Sequence, residues 1–351
     1  MAPRSAPRAR RRARVAVFAL LLVTDCLYPA AREPDPAVAA RVAAATAAAR
    51  DLPRLRSLLV SVDGALVHEQ YFGGTRAASP GNIKSASKSV MSALVGIALQ
   101  KGLVSDISQP IAPHFSVELG TGTDPRTRAI TIEHLLTMQT GLESTSGRNY
   151  GAWVRSANWV RYALRRPMLA DPGTAMEYST GNSHVLSALL TRVTRQSTWQ
   201  FAHESLARPL GFTLARWPQD PQGIYFGGNE MLMTPRQMLA VGELYLNDGR
   251  AGERQLFPAD WVKRSFVARG RSRWGSDREY GYGWWIRSLD GHPAYYAWGY
   301  GGQFVFVVPS ARMVLVTTSD PNVSSERREH LEGIYALAES VLGAVTAVPA
   351  R

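Results

Sequence analysis

The amino-acid sequence predicts an α+β fold in which one antiparallel sheet is built from strands at both ends of the chain. Two β-rich runs near the N terminus flank Asp63-Gly64, a dipeptide typical of a two-residue hairpin. Further short β-rich runs, separated by turn residues, cover 282–286, 294–297, 304–308 and 313–318. The intervening residues, from about 103 to 256, have the spacing of helices and long loops. We therefore expect a mostly helical insertion, with a cleft between it and the sheet.

The elements predicted in chain order begin with an alanine-rich helix from Ala37 to Arg50, because alanine has the highest helix propensity. The two hairpin strands follow, and a glycine-containing loop then leads to a helix that contains Ser85. After the C-terminal strands, a last helix at about 325–342 would cover one face of the sheet. Residues 32–351 are thus predicted to form a single domain.

The composition is that of a globular protein, with 45% hydrophobic and 19% charged residues in a chain of 351. The formal net charge of +12 suggests a nucleic-acid partner, but half of the excess comes from six arginines in the first 14 residues. These are Arg4, Arg8, Arg10, Arg11, Arg12 and Arg14. The remaining charges form no basic stripe and no pattern interleaved with aromatic residues, so we predict no nucleic-acid partner.

Residues 1–31 have the composition of an export signal. A basic segment precedes the apolar run Val15–Val23, which is shorter than the roughly 20 residues that span a bilayer. Small residues at Ala30 and Ala31 suit cleavage, so we expect an exported protein, periplasmic or extracellular, with no stable membrane span. An uncleaved basic tail and an N-terminal membrane anchor are the alternatives.

The single cysteine, Cys26, lies within this segment. It is a candidate for lipidation, although Asp25 before it is a poor match to the small residue that such sites prefer. If the signal is cleaved after Cys26, the mature chain has no cysteine, and neither disulfides nor thiol chemistry is available. The seven histidines show no H-E-x-x-H or comparable spacing, and no glycine-rich phosphate loop occurs, so we expect neither a metal ion nor a cofactor.

The motif with the clearest chemistry is Ser85-Ala86-Ser87-Lys88, at the start of an apolar run with helical spacing. Residues three apart lie on one face of a helix, so the Lys88 amine can reach the Ser85 hydroxyl. Burial disfavours the ammonium form of lysine, and a neutral amine can accept the serine proton and activate the oxygen as a nucleophile. The alternative is a serine that caps the helix, followed by solvated polar residues. A Ser-His-Asp triad is not predicted, because no Gly-x-Ser-x-Gly elbow occurs.

Three further stretches, taken together with Ser85-x-x-Lys88, resemble one family. They are Ile130–Leu142 (ITIEHLLTMQTGL), Pro172–Asn182 (PGTAMEYSTGN) and Met233–Ala240 (MTPRQMLA). In this order they closely resemble the serine β-lactamase-related hydrolases, which include class C β-lactamases, D-alanyl-D-alanine carboxypeptidases, esterases and 6-aminohexanoate oligomer hydrolases. The resemblance spans about residues 50–345. It implies a β-lactamase/transpeptidase-like fold and a serine hydrolase activity.

The resemblance also implies roles for individual residues. Tyr178 is the second catalytic element, which relays the serine proton to the leaving group; the alternative is an ordinary half-buried aromatic side chain. The third element is matched to Trp298–Gln303, where the N–H of Gln303 and that of Ser85 would form the oxyanion hole; the alternative is a glycine-rich hairpin turn. Glycines in this element would let the substrate backbone approach closely. The residues assigned to substrate binding are Thr180, Asn182, Tyr300, Gly301 and Gly302.

Two departures from the family pattern guide the functional expectation. Thr180 stands where β-lactamases often have asparagine, and Tyr300 stands where the family has a cationic residue or a histidine. Both family positions help to hold a substrate amide or carboxylate, so their replacement argues against efficient β-lactam turnover. We expect a serine hydrolase that acts through an acyl-enzyme on a small ester or linear amide. The alternatives are a penicillin-recognising β-lactamase or D,D-peptidase and, in another class, a catalytically weak binding or scaffold protein at the envelope.

Overall fold

The computed structural model describes residues 33–272, 278–322 and 327–347. The predicted export signal, residues 1–31, lies outside the described residues, and so does Cys26 within it. In the described ranges, no helix is both long enough and apolar enough to cross a membrane.

The described chain contains twelve strands, numbered in chain order. Strands β1 to β12 are Leu55–Val62, Ala65–Tyr71, Gly81–Asn82, Leu232–Met233, Arg250–Ala251, Arg254–Gln255, Gly270–Arg271, Glu279–Tyr280, Trp285–Leu289, His292–Gly299, Gln303–Val308 and Met313–Ser319. Eight of them form one antiparallel sheet in the order β2-β1-β12-β11-β10-β9-β8-β7. Because β1 pairs with β12, strands from both ends of the chain share one sheet, as the sequence predicts.

Asp63-Gly64 forms the two-residue turn that the sequence predicts between β1 and β2. The backbone angle φ is +51° at Asp63 and +78° at Gly64. Positive φ at both turn residues matches the right-handed twist of the strands that the turn joins. Asp290-Gly291 repeats this arrangement between β9 and β10, with φ of +45° and +79°.

Eleven α-helices occur in the described residues, α1 to α11 in chain order. They are Pro36–Ala45, Ser87–Gln100, Ser116–Leu119, Ile132–Leu136, Tyr150–Val154, Trp159–Leu164, Thr180–Thr194, Thr198–Ala202, Pro235–Leu246, Ala259–Ser265 and Arg327–Thr346. Short 3₁₀ turns lie at Ala47–Asp51, Lys84–Ala86, Ala112–His114, Pro125–Ala129, Gly147–Asn149 and Pro309–Ala311, and a π-helical segment at His203–Ala207. The predicted first helix is therefore divided into α1 and a 3₁₀ turn, and the predicted last helix corresponds to α11.

Both faces of the sheet are covered, and β11 shows the arrangement. Phe304 and Phe306 pack on the side of α11, whereas Val305 and Val307 pack on the side of the other helices. A strand buried on both faces has a continuous apolar sequence, as this one does. Helices α1 and α11 lie on the first face, and α2 and α9 lie on the second.

The inserted helices stand beside the sheet and pack around α7. Helices α2, α4, α6 and α8 all contact α7. Helix α9 lies within the predicted insertion of 103–256 but packs on β1, β11 and β12. A Cβ on its Gly242 would lie only 2.5 Å from the Val314 side chain of β12. The helices that stand beside the sheet are thus α3 to α8, and α2, the helix that follows Ser85, lies between them and the sheet.

Candidate active site

Ser85 lies in the 3₁₀ turn Lys84–Ala86, which leads directly into α2. The alternative of a helix-capping serine is wrong, because the N-cap position of α2 is Ala86 and no side chain caps this helix. Lys84, directly before the nucleophile, has a left-handed φ of +52°. Such a conformation is costly for a lysine and persists only where the surroundings hold it. Here the side-chain oxygen of Asn82 accepts the Lys84 N–H at 2.8 Å.

The Lys88 side chain is buried in the first turn of α2 and reaches the Ser85 hydroxyl. Its Nζ lies 3.0 Å from Ser85 Oγ, 2.6 Å from the Gly228 carbonyl oxygen and 3.4 Å from Thr180 Oγ1. Burial lowers the pKa of Lys88 to about 7. At neutral pH a large fraction of Lys88 is therefore an amine that can accept a proton. The contact that the Ser85-x-x-Lys88 spacing predicts is present in the structure.

Thr180, assigned to substrate binding from the sequence, is buried at the start of α7 and belongs to the hydrogen-bond network of Lys88. Its hydroxyl lies 2.9 Å from Ser146 Oγ, and its N–H donates to the same oxygen at 2.9 Å. Sequence reasoning did not single out Ser146, because no motif marks it. Thr180 therefore connects Lys88 to Ser146 and does not lie open in the cleft.

Tyr178 lies just before α7, and its phenol lies on the same side as Ser85 and Lys88. Lys88 Nζ is 4.9 Å from the centroid of the Tyr178 ring, and Ser85 is close enough to lower the pKa of the phenol in part. Trp285 stacks on the ring at 5.5 Å, and Ser144 Oγ donates to the Tyr178 carbonyl at 2.6 Å. Burial raises the pKa of Tyr178, and Ser85 opposes this rise only in part. The phenol, and not the phenolate, is therefore the form present at neutral pH.

A backbone strip that sequence reasoning missed, residues 227–230, closes the other side of Lys88. Gly228 supplies the carbonyl oxygen that accepts from the lysine. A Cβ on Gly228 would lie 2.8 Å from the carbonyl oxygen of Thr180, so glycine is needed for this approach. The available signal was the pair Gly227-Gly228, which by itself reads as a turn.

Gly299, in the predicted third element, lies against the turn that contains Ser85. It ends β10, and a Cβ there would lie 2.1 Å from the carbonyl oxygen of Ile83. The pairing of β9 with β10 covers His292 to Tyr296 only. The end of β10 therefore extends past β9 to the turn that contains Ser85.

Packing within the chain requires glycine at positions 301 and 302. A Cβ on Gly301 would lie 2.8 Å from Pro321 Cα, and a Cβ on Gly302 would lie 2.6 Å from Ser319 Oγ. Both glycines also have positive φ, of +89° and +109°. They lie in the turn between β10 and β11, and their role in substrate binding stays a prediction.

We expect Gly302→Ala to lower the free energy of unfolding by about 2–3 kcal/mol, because it combines a steric collision with an unfavourable φ. Gly291→Ala is the matched control, since φ is +79° there and a Cβ would meet no atom within 4 Å. Urea unfolding of both variants gives their free energies of unfolding. The loss in Gly291→Ala measures the cost of the positive φ alone, and the additional loss in Gly302→Ala measures the cost of the steric collision. Equal losses in the two variants would contradict the packing explanation for Gly302.

Gln303, whose backbone N–H the sequence assigns to the oxyanion hole, lies in β11, opposite Gly299. Its buried side-chain amide donates to the Ser319 carbonyl at 2.7 Å and accepts the Ser319 N–H at 3.2 Å. These contacts tie β11 to β12. Gly299, at the end of β10, lies against the turn that contains Ser85.

Asn182 and Tyr300 are also assigned to substrate binding, and the structure places the first in the interior and the second at the surface. Asn182 is 4% exposed, with its amide oxygen 3.5 Å from Thr140 Oγ1 and its Nδ2 3.8 Å from Met138 Sδ. Residues two apart on a helix do not share a face, so Asn182 is directed into the interior while Thr180 reaches Lys88. Tyr300 is 44% exposed in the turn between β10 and β11.

A cavity of about 340 Å³ opens beside Tyr178. Leu169 and Met176 contribute apolar wall. Three charged residues, Glu143, Arg148 and Glu177, also line the cavity, and Arg148 forms an ion pair with Glu143 at 3.1 Å. The volume suits a small group. Within the part of the chain that the structure describes, no cluster of three or more histidine, cysteine or acidic side chains could hold a metal ion.

Comparison with known proteins places this geometry among related folds. The Beta-lactamase family model matches residues 35–339. A protein from Bacillus anthracis described as a 6-aminohexanoate-dimer hydrolase superposes with a TM-score of 0.69 at 21% identity, over 86% of this chain and 82% of that one. EstCE1, a hydrolase with promiscuous acyltransferase activity, superposes with a TM-score of 0.70 at 18% identity, over 89% of this chain and 99% of that one.

A third solved structure, the octameric penicillin-binding protein homologue from Pyrococcus abyssi, superposes with a TM-score of 0.63 at 17% identity, over 86% of this chain and 76% of that one. No curated protein matches the chain. At these identities each likeness is one of fold, and it confirms the fold that the motifs imply.

Proposed function

The chain belongs to the beta-lactamase family and is a serine hydrolase, and we propose that it cleaves a small ester or linear amide through an acyl-enzyme on Ser85. The observation that carries this proposal is the contact between Ser85 Oγ and Lys88 Nζ at 3.0 Å, together with the burial that lowers the pKa of Lys88 to about 7. An amine with this pKa can take the serine proton at neutral pH, which activates the oxygen as a nucleophile.

In the acylation step, Ser85 Oγ forms a bond to the substrate carbonyl carbon while its proton passes to Lys88 Nζ. The resulting tetrahedral intermediate collapses by breaking the bond to the leaving alcohol or amine. Lys88 is held for this step by the Gly228 carbonyl at 2.6 Å and by Thr180. These contacts keep the amine beside the hydroxyl without an acidic partner that would raise its pKa.

The leaving group needs a proton, and we assign its delivery to Tyr178. The phenol is protonated at neutral pH because burial raises its pKa. It can give its proton to the leaving oxygen or nitrogen while it regains one from Lys88, so that no charge is left on the phenol. Attack of water on the acyl-enzyme then runs the same transfers in reverse and restores the Ser85 hydroxyl.

The negative charge on the tetrahedral intermediate requires backbone donors. We assign the first to the N–H of Ser85, as the sequence predicts. The second is assigned to the segment Gly299–Tyr300 and not to Gln303, because Gly299 lies against the turn of the nucleophile.

The preference for a small substrate rests on the cavity beside Tyr178. Its volume of about 340 Å³ is at the lower end for ligand sites, and Leu169 and Met176 give it an apolar wall. Two solved structures of similar fold support an ester or a linear amide as the substrate class. One is described as a 6-aminohexanoate-dimer hydrolase, and the other is a hydrolase with promiscuous acyltransferase activity, a reaction in which an acyl group is passed on.

A substrate panel tests the proposal. The purified chain is offered p-nitrophenyl butyrate, a linear 6-aminohexanoate dimer, a chromogenic cephalosporin and a short D-Ala-D-Ala peptide. We expect kcat/KM for the ester or the linear amide to exceed that for the cephalosporin and the peptide by at least about tenfold.

Two outcomes would contradict this expectation. Faster turnover of the cephalosporin or the peptide than of every ester and amide would favour the penicillin-recognising alternative. No turnover of any substrate, with no labelling of Ser85 by a fluorophosphonate probe, would favour the binding or scaffold protein.

A further inference from the structure

We propose that His184 and Asp220 act as a positioning pair, which holds the Gly228 carbonyl against Lys88 without touching the substrate. The inference rests on the proposed function, because it concerns the same general base. Neither residue belongs to the motifs, and His184 was one of seven histidines in which the sequence shows no ligand spacing.

His184 lies on α7, one helical turn after Thr180, and both His184 and Asp220 have fully buried side chains. His184 Nε2 lies 3.0 Å from Asp220 Oδ2, and His184 Nδ1 accepts the Gly227 N–H at 3.5 Å. With Nδ1 as the acceptor, Nε2 is the ring nitrogen that donates to the carboxylate. The imidazole therefore joins two fixed partners.

Asp220 uses its second oxygen to shape the loop that leads into the glycine strip. Oδ1 accepts the N–H of Gln222 at 2.8 Å and the N–H of Ile224 at 2.9 Å. The carboxylate is thus bound by three donors, which compensates for its burial. The Asp220 side chain therefore fixes both the conformation of the loop at 220–224 and the orientation of the His184 imidazole.

The strip itself lies so close to α7 that side chains are excluded. A Cβ on Gly227 would lie 2.1 Å from the carbonyl oxygen of Ser183, and one on Gly228 would lie 2.8 Å from that of Thr180. The contact between the Gly227 N–H and His184 fixes the strip along this surface. The next carbonyl, that of Gly228, accepts from Lys88 at 2.6 Å. A continuous series of contacts thus leads from Asp220 to the base.

The alternative is a histidine that only fills the interior. Trp153, Trp159 and Phe226 surround the imidazole, with ring centroids at 5.8, 5.3 and 5.8 Å. A filling role predicts that activity follows stability in every variant. A positioning role predicts that activity depends on which of the two hydrogen bonds is kept.

Two substitutions separate these roles, because each keeps one bond. In His184→Asn the amide oxygen takes the place of Nδ1 and can still accept from Gly227, whereas the bond to Asp220 is lost. In His184→Gln the amide nitrogen takes the place of Nε2 and can still donate to Asp220, whereas the bond to Gly227 is lost. Both leave a gap among the aromatic rings, so both should lower Tm by a similar amount.

The readouts are kcat and KM for the ester and the apparent pKa of the ascending limb of the pH profile. We expect His184→Gln to lower kcat by about 10- to 100-fold with little change in KM, because the lysine loses its alignment. The apparent pKa of the ascending limb should also fall below the wild-type value. A carbonyl acceptor stabilises the ammonium form of Lys88, and this variant weakens the contact with that carbonyl. His184→Asn should remain close to the wild type in both readouts. Tyr178, the titratable group nearest Lys88, has a raised pKa and does not produce a limb near 7.

Asp220→Asn tests the positioning role independently, so that the conclusion does not depend on His184→Gln alone. The carboxylate of Asp220 accepts three N–H groups, one from the imidazole and two from the backbone. An amide has only one oxygen, so in either orientation its NH₂ group faces at least one of these N–H donors. The imidazole would then have to accept at Nε2 and turn a proton on Nδ1 towards Gly227. We expect the same loss of kcat as in His184→Gln. If His184→Gln does not fold, this variant decides the question.

Equal activity in His184→Asn and His184→Gln at equal stability, or wild-type kcat in Asp220→Asn, would overturn the inference. That result is distinct from failure of the proposed function. The proposed function fails if the wild-type chain shows no hydrolysis that depends on Ser85, whatever the variants of His184 do.

Discussion

Ester hydrolysis by Ser85→Ala is expected to fall by at least about 10³-fold, because the variant lacks the atom that forms the acyl-enzyme. The neighbouring Lys88 and Tyr178 remain, but they have no serine hydroxyl at position 85 to activate. Labelling by a fluorophosphonate probe should disappear together with turnover of p-nitrophenyl butyrate. The assay is best run above the Lys88 pKa of about 7, where the base is unprotonated.

The matched control is Ser92→Ala, a second buried serine on the same helix. Its hydroxyl accepts from Tyr245 at 3.3 Å and has no contact with the site. It should keep wild-type activity and probe labelling, although it loses one buried hydrogen bond. Equal hydrolysis by the wild type and Ser85→Ala would exclude Ser85 as the nucleophile.

Lys88→Met is expected to lower kcat/KM by about 10²- to 10⁴-fold, the range for loss of a general base. In the wild type, kcat/KM should rise with pH and level off above about 7, the pKa to which burial lowers Lys88. The residual activity of the methionine variant should lack this limb. A limb that persists near 7 in Lys88→Met would show that another group is the base.

The same substitution is expected to stabilise the protein near neutral pH. In the folded chain the pKa of Lys88 is about 7, against an ordinary value of 10.5. Between these values the unfolded chain binds more protons than the folded chain, so the wild-type free energy of unfolding rises with pH across this window. Below about 7 the penalty of burying the lysine is fully present. Lys88→Met removes the penalty, and we expect a gain of about 1–2 kcal/mol at pH 7.

Lys101→Met is the control for this pair of effects, because Lys101 is an exposed lysine at the end of the same helix. It should leave both activity and the pH dependence of stability unchanged. Thermal unfolding at several pH values checks the sign. A Lys88→Met protein that is less stable than the wild type at neutral pH would contradict the argument that the buried amine is a cost.

Local features of the site could be predicted from the sequence because they depend on few residues. Ser85 and Lys88 are three positions apart, and helical spacing alone brings their side chains together. The Asp63-Gly64 turn is equally local, since its positive φ angles follow from the residue types. Tyr178 was identified through the order of motifs along the chain, not through its neighbours.

The sequence is ambiguous where two distant segments meet. Several glycines between Trp298 and Gln303 allow more than one register, and in the sheet Gly299 pairs with Gln303. Asn182 was assigned to substrate binding, and in the structure its side chain contacts Thr140 in the interior.

The sequence by itself determined the fold class and the contact between Ser85 and Lys88, because periodicity, turn chemistry and short spacings act within a few residues. Tertiary structure alone decided what surrounds Lys88. Gly228 is 140 positions away from Lys88, and nothing in the glycine pair indicates that its carbonyl accepts from the lysine. The same holds for Ser146 and for His184. Their roles follow from the way α7 packs between the glycine strip and α2, which is long-range packing that no local pattern records.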